Sequence, residues 1–108
     1  MDIPNDENGE VLRRMVEHGD DLTVPRPIDF EHVLPNLRTA REMARAAQEL
    51  GYETRIDRRG LLSRGRDVTC TREMLPTHAA ITEAERYLAD IARKLGGHED
   101  GWGCMQPQ

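Results

Sequence analysis

The chain has 108 residues, of which 37% are apolar and only 4% aromatic, and it carries a net charge of −5. That length supports one hydrophobic core and no second domain, and the acidic balance argues against free polyanions as general partners. No apolar run approaches a membrane span or a signal peptide, and Cys70 and Cys104 are too few and too far apart to make a disulfide framework, so a cytoplasmic protein with no membrane partner is expected.

Residues 1–7 are polar, contain Pro4 and are expected to be disordered. From Asn8 the pattern changes. Val11, Leu12, Met15 and Val16 fall at helical spacing, Asn8 can cap the start, and Gly19 stands where a left-handed C-terminal cap belongs. Asp20, Asp21 and the Pro25-Arg26-Pro27 segment then read as a connector. Ile28, Phe30, His32 and Leu34 alternate with Asp29, Glu31 and Val33, the pattern of a half-buried strand. A second helix follows, with Asn36 and Thr39 as rival caps and a stripe of Leu37, Ala40, Met43, Ala44, Ala47 and Leu50 that ends at Gly51.

Tyr52, Thr54 and Ile56 alternate as a second strand. The glycine- and arginine-rich stretch 57–66 reads as a hairpin loop, and Val68, Cys70, Arg72 and Met74 alternate along a third strand. Pro76-Thr77 opens the longest helix, whose apolar face is Ile81, Ala84, Leu88, Ile91, Ala92 and Leu95, and Gly96-Gly97 stops it. Residues 98–104 form a fourth strand and 105–108 a tail, so a single domain is expected over 8–104.

Leaving aside the first helix, the order strand, helix, strand, strand, helix, strand is that of an α+β ferredoxin-like sandwich. Two helices cover one face of a four-stranded antiparallel sheet ordered 4-1-3-2, and the other face stays open. Counting by twos along the last strand places Asp100, Trp102 and Cys104 on one face and Glu99, Gly101 and Gly103 on the other. The glycines then suggest a seat for a packed helix, and the indole beside carboxylates suggests a contact surface for a cationic partner.

Catalytic motifs are missing. There is no phosphate-cradling glycine loop and no metal-binding helix with two histidines four apart, and His98 with Cys104 supplies two ligands without a third, so no cofactor or metal is expected. His32 shares the apolar face of its strand and reads as a hydrogen-bonded core residue. Arg55, Arg58, Arg59, Arg64 and Arg66 concentrate positive charge: with Asp57 they give residues 55–66 a net +4, which leaves −9 for the rest of the chain. On a flexible hairpin they could grip RNA, but Thr69 and Thr71 stand where a stacking platform needs aromatic rings.

Taken together, Leu12, Gly19-Asp20-Asp21-Leu22, Pro25-Arg26, Gly51-Tyr52, Val68-Thr69-Cys70-Thr71-Arg72, Met74, Pro76, Ile81 and Asp100-Gly101-Trp102-Gly103 resemble the RraB family, regulators of ribonuclease E activity. The similarity runs from about Asn8 to Cys104, with Glu99 where the family tends to place an aromatic. It implies a ferredoxin-like sandwich and a bacterial cytoplasmic protein that is not an enzyme, binds the endoribonuclease and restrains RNA cleavage by protein contact. The expected docking surface is the open sheet face, with Trp102 flanked by Asp100, Asp29 and Glu31 and extended by Asp20 and Asp21, receiving a basic segment of a ribonuclease E-type partner. The alternative is an RNA-binding module using the hairpin arginines. A monomer or weak dimer is expected.

Overall fold

Side-chain caps fix where each helix begins in the computed structural model of the chain, which describes residues 3–104. Helix α1 (Glu7–Glu17) starts at Asp6, whose carboxylate accepts from the Gly9 N–H at 2.8 Å, so Asn8 is not the cap but lies inside the first turn. Of the two rival caps of helix α2 (Leu37–Glu49), Asn36 is the N-cap and Thr39 is the third residue of the first turn. The Asn36 side chain accepts from the Thr39 N–H, and the Thr39 hydroxyl accepts from the Asn36 N–H, which satisfies two otherwise orphaned donors reciprocally. In α3 (His78–Lys94) the Thr77 hydroxyl accepts from Ala80.

The strands are β1 (Arg26–Leu34), β2 (Glu53–Arg58), β3 (Arg66–Met74) and β4 (His98–Cys104). All pairings are antiparallel and the sheet order is β2-β3-β1-β4, which is the expected 4-1-3-2 read from the other edge. Strand β1 begins two residues earlier than its alternation suggested. Its Pro27 stands one residue from the strand's start, where a missing N–H is tolerated.

Helices α2 and α3 lie on one face of the sheet, and the core forms between them and the inward residues of the central strands. Ile28, Phe30 and Leu34 of β1, Val68 and Cys70 of β3, Met43 and Ala47 of α2 and Ile81 and Leu88 of α3 are all essentially inaccessible. Phe30 and Tyr52 meet edge to face with centroids 6.2 Å apart. Gly97 lets β4 enter tightly beneath β1, because a Cβ there would lie 2.2 Å from the Val33 carbonyl oxygen.

Residues 3–7, expected to be disordered, are tied down instead. Ile3 packs against the core, and Arg13 donates to the carbonyl oxygens of Ile3 and Pro4 and to the Asn5 side chain. Helix α1 joins the helix-covered side: Leu12 is buried, and the Asn8 amide donates to Thr82 and Glu85 of α3 at 3.1 and 3.0 Å. Among the described residues no helix covers the opposite face of the sheet. The tail 105–108 lies outside the described residues.

Candidate docking face

Strand register assigns the open face residue by residue, since directly paired residues share a face. Asp29 pairs with Thr71 on one side and Gly103 on the other, Glu31 with Thr69, and Thr69 in turn with Arg55. Beyond them, Thr71 pairs with Glu53, Asp67 with Asp57, and Pro27 with Glu73. Carboxylates therefore recur on β1, β2 and β3 of this surface. Thr71 orients one of them, donating its hydroxyl to Asp29 at 2.6 Å. Thr69, flanked by Glu31 and Arg55, is only 5% exposed although no helix covers it.

Counting by twos fails at one point on β4. The register between β1 and β4 shifts between Phe30 and His32: Trp102 pairs with Phe30, yet Glu99 pairs with His32. Two residues, Asp100 and Gly101, therefore oppose Glu31 alone, which is a β-bulge. Gly101 sits at φ +106, a left-handed conformation that favours glycine. The extra residue reverses the alternation. Trp102 and Cys104 turn to the helix-covered side with Phe30 and Ile28, while Gly103 faces outward beside Asp29 with no atom within 4 Å of where its Cβ would be.

The expected solvent-facing indole is thus corrected. Trp102 is partly buried against the core, and its Nε1–H donates to the Asn8 Oδ1 of α1 at 2.9 Å. The glycines seat no helix; one makes the bulge and the other leaves the outer surface bare. Trp102 still borders, together with Asp29, Glu31, Asp100 and Gly103, a shallow depression of ≈ 410 Å³ on β1 and β4. Four of the six expected docking residues therefore meet there, with the tryptophan as a wall rather than an exposed anchor.

Asp20 and Asp21 do not join them. Asp20 receives two hydrogen bonds from the Arg26 Nη1 at 2.8 and 2.7 Å, and each side chain is 3% exposed. This is a buried ion pair, not an acidic rim. Asp21 is exposed but turned onto its own loop, accepting from the Thr23 N–H and hydroxyl. Those bonds hold its carboxyl below the ordinary carboxylate range.

The arginine cluster is mostly engaged in building the hairpin. Asp57 and Asp67 are paired across strands, like charge against like, and Arg55 bridges to one at 2.8 Å while Arg59 bridges to the other at 2.6 Å. Contact with Asp57, and the nearby Glu31 and Asp29, raise the Arg55 pKa further above its ordinary value. Arg66 turns back to donate to the carbonyl oxygens of Ser63, Arg64 and Gly65. Arg58 and Arg64 stay exposed.

Groups able to do covalent chemistry are muted. Burial pushes the Cys70 thiol up to about 12, so it stays protonated and inert at neutral pH. His32 is buried, with Nδ1 3.3 Å from the Val68 carbonyl oxygen. Desolvation lowers its pKa, partly opposed by that carbonyl and by Glu99 and Asp100. Among the described residues no three His, Cys, Asp or Glu side chains group into a metal site, and both cysteines are free.

Sequence reasoning missed Asn8, which links α1 to α3 and to the indole, and Arg93, which meets Glu99. Gly101 was the available signal for the first of these arrangements, since a glycine inside a strand often marks a bulge. Residues 5–104 match the family described as RraB, regulator of ribonuclease activity B. No curated protein matches the chain.

Proposed function

Because the chain belongs to the RraB family, regulators of ribonuclease activity, we propose that it acts in the cytoplasm without catalysis of its own. In this reading it docks a basic segment of a ribonuclease E-type endoribonuclease on the open sheet face and restrains RNA cleavage. The observation that carries it is the convergence of Asp29, Glu31 and Asp100 around one depression that no helix covers. Arginine and lysine side chains of a partner would find oriented acceptors there, with Asp29 already fixed by Thr71. Charge complementarity would mainly accelerate encounter and set its salt dependence.

The test is binding of the full chain to the arginine-rich region of ribonuclease E. Replacing Asp29→Asn, Glu31→Gln and Asp100→Asn together is expected to weaken binding about tenfold or more, because truncating close charge contacts costs about 1.5 kcal/mol or more. It should also flatten the dependence on salt. Unchanged affinity and unchanged salt dependence would move the site elsewhere. The alternative, in which Arg55, Arg58, Arg59, Arg64 and Arg66 hold RNA, has less support. Arg55 and Arg59 are neutralised by aspartates, and Arg66 is committed to its own loop.

A further inference from the structure

The open face leaves one feature of the molecule unaccounted for, the tip of the β2–β3 hairpin. Leu61 and Leu62 are 87% and 101% exposed, whereas the other exposed large apolar residues lie between 36% and 59%. The two are adjacent and project from a loop that reaches beyond the last strand pair, Arg58 with Arg66. Around them stand Arg58, Arg59, Arg64 and Arg66, with no acidic residue between positions 58 and 66. Arg59 is balanced by Asp67, so the apex keeps a net positive collar that includes the exposed Arg58 and Arg64.

We propose that this tip is a reversible docking point for an anionic lipid surface. Two fully exposed leucines at a convex apex have no concavity of their own to receive a ligand, so the receiving phase must be apolar and must yield to them. The interior edge of a bilayer does both, and the negative headgroups above it match the arginine collar. RNA would satisfy the arginines alone. The tip carries no aromatic ring for base stacking, and the leucines would remain in water.

A membrane-spanning segment is not required, and among the described residues no helix is long and apolar enough to cross a membrane. The acidic sheet does not cancel the attraction. Asp57 and Asp67 at the hairpin's base are paired to Arg55 and Arg59, and charges farther off are screened over about 8 Å at physiological salt.

The experiment is co-sedimentation of the full chain with vesicles of phosphatidylglycerol and phosphatidylcholine, against vesicles of phosphatidylcholine alone, at low and high salt. Retention is expected only on the anionic vesicles and should fall with salt. Leu61→Ser with Leu62→Ser should lower partitioning on the order of tenfold or more, as expected for withdrawing two leucines from an apolar phase. Arg58→Ala with Arg64→Ala should lower it too, while the triple neutralisation of Asp29, Glu31 and Asp100 should not. These tip positions are exposed, so an unchanged thermal melt separates lost binding from lost folding. The proposal is overturned if anionic vesicles fail to retain the protein at low salt, or if the double serine variant partitions like the parent. It is equally overturned if that variant loses a protein or RNA partner while vesicles bind neither form.

Discussion

Asp20 and Arg26 close a network with little access to water. The guanidinium gives two bonds to the carboxylate and others to the carbonyl oxygens of Asp21 and Val24, so all of its donor directions are turned inward. A buried pair of this kind adds little over an apolar substitute, but removing one member strands the other without compensation, typically at about 3 to 5 kcal/mol. Asp20→Asn is therefore expected to lower the unfolding free energy by about 3 kcal/mol, while Asp21→Asn should leave stability almost unchanged because its partners are local and wet. Urea unfolding of the two variants distinguishes them, and equal destabilisation would mean that the ion pair is not what pins the connector to β1. Nothing in the connector's composition separates these neighbours. Both aspartates read as solvated rim in the sequence, because burial here depends on an arginine six residues later whose direction only the fold sets.

At the scale of elements, the caps and stops were legible where one residue performs one local task. Thr77 ahead of α3, Asn36 and Thr39 at α2 and the left-handed Gly19, Gly51 and Gly96 after the three helices are all of this type. Strand β4 had the expected bounds, but beyond the bulge Trp102, Gly103 and Cys104 take the faces opposite to those expected, because period-two counting assumes that no residue is inserted. Gly101 at φ +106 supplies the insertion with free space around it, so the cost of a side chain there is a backbone cost. Gly101→Val is expected to destabilise the fold by about 2 kcal/mol, within the range for strained backbone conformations. It should also shift Trp102 emission to the red as the indole loses its seat and its bond to Asn8. Gly103→Val, on the open face with equal room and no positive φ, is the control and should change stability by less than about 1 kcal/mol. If both valines behave alike, the bulge does not govern which way the tryptophan points.

For the molecule as a whole, the charge distribution asks why the sheet gathers so many carboxylates on one face. Asp57 and Asp67 show the ordinary solution, each held by an arginine. Asp29, Glu31 and Asp100 receive no such partner among the described residues; the one side chain that reaches them is the Thr71 hydroxyl on Asp29. Asp100 stands across from Glu31 in the bulge, Asp29 lies two residues along the same strand, and like charges held this close on one face destabilise a sheet. Stability alone gives no reason for them, whereas the proposed docking role would, because binding sites commonly sacrifice stability for function. The variant carrying Asp29→Asn, Glu31→Gln and Asp100→Asn should accordingly be more stable than the parent by about 0.5 to 1 kcal/mol while binding its partner less well. Asn at position 29 can still accept from Thr71, so the gain would not be masked by a lost hydrogen bond. Added salt should raise the melting temperature of the parent more than that of the variant, since screening relieves the same repulsion. A neutralised protein that melts lower, or that responds to salt as the parent does, would show these carboxylates to be stabilising members of the sheet, and the reason for assigning them to a partner would be gone.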